Sequence, residues 1–547
     1  MIQRILAASL GCSLLASTAL ADLRAEDVLA DQLNFLSGNG GIVARTTGTT
    51  PTSRGLTIDG YVLTFTADGA DHEVEIDGVE MREVEDGSVR ILYPRTLDIR
   101  MRSNGDNVEI DEAIFTLRLD EMSHIVSGDP DDIRHDIAFN RAALEDIRMT
   151  PSESLPETLD YEVAITDAAT MIRLSERDPL RREASFDIGA MILRMALPDD
   201  DPGATFGEIN RLDAAIALIG LNGRASYVGT AVPEHTLDLR FEDFSWRQTM
   251  SGEGLEAMDF LMAAEDLELA YDVAISLEAL EDDPAAALRS GQRIEGRTSY
   301  GSMTFDVDAI TPDGRFRSAS AAGRSSGNLR FDRSGFTMSM QSLDNSADII
   351  LPPSAEIPFT ELAYSIARSY FDIDIPFLPK DEPQPFRLAM AIEGVEMAED
   401  IWSLFDPGKK IPRDALNLEL DLDGTTVISE DPLAVDPGEM PFKEMRARLN
   451  AFSLNLAGAA LTATGEVEDT SQNGAPSGIG RLDMTLTGFN TLLETLIAMG
   501  YLTDEQAMPA RMGLGLIARP GDAPDTLVST IEALEDGTIL ANGQRIK

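Results

Sequence analysis

Few side chains in this chain are spaced for chemistry. Gly323-Arg324-Ser325-Ser326-Gly327 matches G-x-S-x-G. A nucleophile elbow needs an apolar strand before the serine and a helix after it, so that a sharp turn exposes the hydroxyl. Here Arg317-Ser318-Ala319-Ser320 precedes and Asn328-Leu329-Arg330 follows. That context predicts a polar loop between strands, and no catalytic role for Ser325. The four histidines are His72, His124, His135 and His235. None stands in H-E-x-x-H or another paired-ligand spacing, so no zinc site is expected. Each reads as a surface or hydrogen-bonded histidine. The acidic runs Asp129-Pro130-Asp131-Asp132 and Asp199-Asp200-Asp201 lack the alternating ligands and glycine of a calcium loop. No phosphate-binding glycine loop is present. The 95 acidic residues give no ground for choosing a general acid–base pair. The sequence therefore predicts no catalytic residue, no metal and no cofactor.

What remains is patterned apolar surface. Leu416, Leu418, Leu420 and Leu422 alternate with Asn417, Glu419 and Asp421. Alternation puts the leucines on one face of a strand, with that face covered or opened to an apolar ligand and the other wet. Similar strands are expected at residues 97–101, 114–119, 159–165, 186–193, 267–277, 303–308, 336–340, 386–392, 452–456, 461–467 and 482–486. Twelve Asp-Gly or Asn-Gly pairs punctuate the chain, the pairs that tolerate the positive φ of tight hairpins. Four of them, at Asp59, Asp68, Asp77 and Asp86, lie nine residues apart. They predict a meander of strands at 61–67, 73–76, 79–84 and 89–93.

Helices are expected at 25–36, at 211–221, at 361–370 behind a Thr360 cap, and at 490–499. A further helix opens on a Thr503/Gln506 capping box and is distorted by Pro509. Arg387 to Gly394 and Arg481 to Gly488 open two similar strand–glycine–helix units. The fold class is thus mainly β with minor α (α+β): elongated antiparallel meander sheets with a few amphipathic covering helices. Pro/Gly/acid-rich linkers are expected at 150–158, 198–203, 352–358, 376–385, 430–441 and 470–478. They divide the chain into an N-terminal β-meander (22–150), a middle β-rich region (151–358) and a C-terminal strand/helix module (359–547).

The first residues specify destination. Arg4 supplies a positive start, residues 5–15 an apolar stretch, and Ala19-Leu20-Ala21 an A-x-A site before Asp22. This is the pattern of a secretory signal peptide cleaved after Ala21. The only cysteine, Cys12, leaves with it, which excludes disulfides and a cysteine nucleophile. Ser9-Leu10-Gly11 is a poor lipoprotein box, so no lipid anchor is expected. No later segment approaches the apolar length of a spanning helix. Cleavage removes one of 44 basic residues and none of the 95 acidic ones, taking the net charge from −51 to −52. That charge excludes nucleic acid as a partner and opposes docking on an anionic leaflet.

Residues 401–407 (Ile-Trp-Ser-Leu-Phe-Asp-Pro), 411–414 (Ile-Pro-Arg-Asp), and the alternating stretches from Leu416 to Gly424 and Phe452 to Gly465 carry a resemblance. So do Gly480, Leu482, Gly488, the 492–499 helix and the closing Asp536-Gly537 and Asn542-Gly543-Gln544. Over residues 380–547 the chain resembles the alphaproteobacterial domain of unknown function 2125 family. These are packing and turn motifs, and the family supplies no catalytic residues. The strand pattern is also similar to AsmA-like envelope proteins, whose long β-grooves are associated with lipid movement, although this chain would keep no N-terminal anchor.

The expectation is an exported periplasmic envelope protein, non-enzymatic, binding a lipid or other apolar ligand along a sheet face. The alternative is a structural or partner-binding envelope protein with a closed core, its partner another envelope protein. A periplasmic hydrolase ranks third.

Overall fold

A computed structural model describes residues 23–37, 41–67, 70–104, 110–151, 160–197, 209–276, 278–279, 283–353, 360–431, 441–469 and 478–547. The cleavage residues Ala19, Ala21 and Asp22, the Asp68-Gly69 pair and most linker segments lie outside them. By contacts the chain divides into two units, Met1–Asp259 and Phe260–Lys547. Strand ladders run across residues 151 and 358, the boundaries expected from composition.

The first unit holds helix α1 (Ala25–Ser37) and strands β1 (Val43–Thr52), β2 (Gly55–Ala67), β3 (Ala70–Asp77), β4 (Glu80–Glu83), β5 (Val89–Leu92), β6 (Thr96–Asn104), β7 (Ile110–Asp120), β8 (Ser123–Asp129), β9 (Asp132–Pro151), β10 (Asp160–Ser175), β11 (Leu180–Ala196), β12 (Ile209–Gly229) and β13 (Glu234–Gly252). β3 and β4 both pair with β2. β5 pairs with β4 and β6 with β3. β8 and β7 in turn pair with successive parts of β9. Each of these short pairs is therefore one long rung interrupted in its middle, and the unit is an antiparallel meander. Asp77-Gly78, expected as a hairpin, is one such interruption. A Cβ on Gly78 would sit 1.8 Å from the Ile58 carbonyl oxygen, so only glycine lets the backbones pass.

The second unit contains β14 (Leu255–Ala274, which begins in the first), α2 (Pro284–Arg289), β15 (Arg293–Tyr300), β16 (Ser302–Thr311), β17 (Gly314–Ala322), β18 (Ser325–Asp332), β19 (Gly335–Ile350), β20 (Glu361–Ile375), β21 (Gln384–Met397), α3 (Glu399–Phe405), β22 (Leu416–Ile428), β23 (Phe442–Leu456), β24 (Ala459–Asp469), β25 (Gly478–Thr487), α4 (Phe489–Ala498), α5 (Asp504–Ile517), β26 (Arg519–Pro520), β27 (Thr526–Ala533), β28 (Ile539–Ala541) and β29 (Gln544–Arg545). From β19 to β25 each strand pairs with the next, and β25 pairs with β27. The Thr503/Gln506 capping box forms, with Pro509 inside α5.

Several long strands carry a residue in the left-handed region. Asp167, Asp266 and Asp344 are left-handed, with φ of 52, 51 and 51°. Each sits in mid-strand beside a glycine of the neighbouring chain segment: Gly189, Gly301 and Gly323 respectively. A methyl on Gly189 would lie 3.0 Å from the Asp167 Cβ. Aspartate is among the few side chains that tolerate this conformation, and glycine leaves room for it. Gly220 and Gly394 take the same role, with φ of 64 and 67°.

Two expected helices are strands. Residues 211–221 lie in β12 and residues 361–370 in β20. Both carry a period of two that the helical reading overlooked: Leu212, Ala214, Ile216, Leu218 in one, Leu362, Tyr364, Ile366 in the other. Pairing on both edges selects it, with β11 and β13 for β12, and β19 and β21 for β20. Asp59-Gly60, Asn222-Gly223 and Asp423-Gly424 lie inside strands and make no hairpins. Gly223 and Gly424 stand directly opposite Phe186 and Phe386. Their missing side chains accept the rings, whose Cζ atoms would lie 2.8 and 2.6 Å from an added Cβ. The turns at Asp86, Asp313, Asp536 and Asn542 join strands as expected.

Candidate functional site: an apolar sheet face

Leu416, Leu418, Leu420 and Leu422 lie on one face of β22, and all four are half-buried. Directly paired residues of antiparallel strands share a face. Leu420 stands between Met390 and Phe452, and Leu418 between Ile392 and Leu454. The rung through Leu420 runs Phe371–Met390–Leu420–Phe452–Ala463–Met484. The rung through Leu418 runs Ile392–Leu418–Leu454–Leu461–Leu486–Leu527. Ala463 is the one residue of these two rungs below a tenth exposed. Met340, opposite Phe371 in β19, is 55% exposed.

The reverse face is zipped by charge. Arg387, Asp423, Arg448, Glu466, Arg481 and Glu532 are successive partners across six strands, alternating in sign. Arg448 Nη2 lies 3.1 Å from Asp423 and Arg481 Nη1 3.4 Å from Glu532. Long arginines and carboxylates thus cover the wet side, while aliphatic, thioether and two phenylalanine side chains line the other.

Residues expected to do no chemistry are placed as follows. Ser325 opens β18, in a strand and not in the expected loop, and its hydroxyl bonds Ser342 Oγ at 2.7 Å. His72 bonds Ser103 Oγ and stacks on Phe65, and His235 packs on Tyr227. Among the described residues no group of three or more His, Cys, Asp or Glu could hold a metal ion. None of their helices is long and apolar enough to cross a membrane.

The 401–414 motif makes a packing cluster. Asp406 is fully buried and accepts from the Lys410 and Ile411 N–H groups and from Arg413. Burial pushes its carboxyl up, but these donors, Arg413 foremost, outweigh that and hold it at about 2. Arg413 in turn lies 4.6 Å from the Trp402 ring centroid.

His124 and His135, read from sequence as unremarkable, are brought together. Val126 pairs with His135 and His124 with Ile137 across the β8–β9 hairpin, so the imidazoles meet on a diagonal. Both are buried, and His124 Nε2 lies 2.9 Å from His135 Nδ1. The one available signal was their common parity with apolar neighbours: His124 with Val126, His135 with Ile133 and Ile137.

No family model and no curated protein matches this chain.

Proposed function

We propose that this is an exported periplasmic envelope protein, not an enzyme, that holds lipid acyl chains along an apolar sheet face. One observation carries the reading: the Leu418 and Leu420 rungs extend across six strands each, apolar throughout and almost entirely half-buried. A sheet face of that composition normally meets a covering layer or an apolar ligand. The unbranched Met390 and Met484 side chains in the Leu420 rung can adapt to flexible chains. The signal pattern ending at Ala21 supports export. Leu23, two residues later, is 2% exposed and donates its N–H to Gly87, so packing begins just past the expected cleavage point.

Protein recovered from the periplasm should begin at Asp22 and carry lipid, seen by native mass spectrometry and after solvent extraction. Leu420→Glu should fold and lose that lipid. Lipid-free wild-type protein together with an unfolded variant would instead establish a closed core and a purely structural or partner-binding protein.

A further inference from the structure

Beside α1 the first unit forms a half-open pocket of about 280 Å³. Its lining includes Tyr61, Ile76, Leu97, His124, His135 and Ile172. Phe35, 48% exposed, and Leu36 of α1 also line it. An apolar cavity of roughly 150 Å³ already accommodates benzene, so this one has room for a substituted ring.

Polar groups of this lining form a chain. Tyr93 Oη lies 2.9 Å from His124 Nδ1, the two histidines are joined at 2.9 Å, and His135 Nε2 lies 3.0 Å from Asp31 Oδ2. The carboxylate sets its direction. An ionised Asp31 only accepts, and with His135 as its neutral tautomer the ring donates from Nε2 and accepts at Nδ1. His124 must then donate from Nε2 and accept at Nδ1, and Tyr93 must donate its O–H to it. Elsewhere in the lining Tyr61 donates its O–H to Gln32 Oε1 at 3.0 Å. Both phenol protons are committed, and both phenol oxygens keep free lone pairs. Burial pushes the Tyr93 hydroxyl up to about 12, which keeps it protonated in this role. At Tyr93 the pocket therefore presents an acceptor that suits a donor.

We propose that the pocket beside α1 is a binding site for a compact apolar alcohol, whose hydroxyl donates to the Tyr93 phenol oxygen. The relay through His124 and His135 to Asp31 positions Tyr93 by fixing which way its proton points. The site is independent of the acyl-chain face of the second unit.

Fluorine NMR of the full mature protein tests this with para-fluorobenzyl alcohol and para-fluorotoluene, which share a ring and differ in the hydroxyl. Both should bind saturably, the alcohol about 5- to 10-fold tighter, the worth of one hydrogen bond. Tyr93→Phe should bring the alcohol down to the affinity of the toluene and leave the toluene within about 2-fold. Ile172→Trp should fill the pocket and abolish both. Leu420→Glu should change neither, which separates this site from the lipid reading. Absence of saturable binding to folded wild-type protein overturns the proposal. So do equal affinities for the two probes, a comparison that stands even where Tyr93→Phe fails to fold. Unchanged alcohol binding in a folded Tyr93→Phe protein overturns it as well.

Discussion

The two units use the same strand pattern to opposite ends. At the start of the first, Met81, Val89, Ile91 and Val126 face α1 and are 2% exposed or less. In the second, Leu416 to Leu422 alternate just as cleanly and stay half-buried. The difference is a covering helix. α1 packs Ala25, Val28, Leu29 and Leu33 onto the first face, and its N-terminus is tied to the sheet where Glu83 accepts the Ala25 N–H at 3.1 Å. Alternation specifies an apolar face, but a separate element decides whether that face becomes a core or a surface.

The largest expected effect separates these two faces. Met81→Asp places a charge among fully buried neighbours with no partner, and should cost about 4 kcal/mol or more or abolish folding of the first unit. Leu420→Glu, with water within reach, should cost less than about 2 kcal/mol. Denaturant unfolding of both variants measures this. Equal losses would break the comparison and make the second face a core.

The left-handed aspartates should respond alike in both units. Asp167 and Asp344 have nearly the same left-handed φ and each faces a glycine. A β-branched residue there is strained, so Asp167→Val and Asp344→Val should each cost about 1–3 kcal/mol, while the glycine variants stay within about 1 kcal/mol of wild type. A valine variant that unfolds no more easily than wild type would show that the left-handed conformation is set by its neighbours and not by the aspartate.

Much of this was legible in the sequence. The β-rich class, most strands, α1 from its Leu29, Leu33 and Leu36 stripe, and the capping box of α5 all follow from local rules. Residues 211–221 and 361–370 were misread because helical and strand periods overlap in short apolar runs, and pairing on both edges decided between them. The Asx-Gly pairs misled for a different reason: glycine serves a turn, a kink and a bed for a cross-strand phenylalanine equally well. The His124–His135–Asp31 chain was invisible because it joins residues 104 positions apart.

Between about pH 7 and about pH 5, above the range where the carboxylates titrate, acid should act on the first unit alone. Burial, then the neighbouring His135, lowers the His124 pKa to about 3, against a smaller opposing pull from Asp136. In the unfolded chain the imidazole has its ordinary value of about 6.5. Between the two values the unfolded state binds more protons, so stability rises with pH. The contribution is complete above about pH 6.5 and is lost progressively as pH falls toward about 3. Going from about pH 7 to about pH 5 should weaken the docking of α1 by up to about 2 kcal/mol. Hydrogen exchange should show faster exchange in α1 and β8 with β22 unaffected. Equal acceleration in β22 would trace the effect to general charge.

The smallest expected effect concerns the wet faces, where the two units are most alike. In the first, Arg102 reaches Glu75 and Glu112, each at 3.3 Å. In the second, Arg448 and Arg481 link successive strands of the alternating rung. All of these side chains are a third or more exposed, so water and salt screen them. Arg102→Met and Arg448→Met should each cost less than about 1 kcal/mol, and salt near 1 M should shrink even that. Methionine keeps the apolar stem that lies along the strand, so any loss reports charge and not packing. The rungs therefore act mainly against misregister: a one-residue slip would place the second face's leucines in the charged row. If Arg448→Met lowers stability as much as Asp344→Val, the charged face holds the sheet together energetically, and the apolar face need bury nothing for the fold to stand.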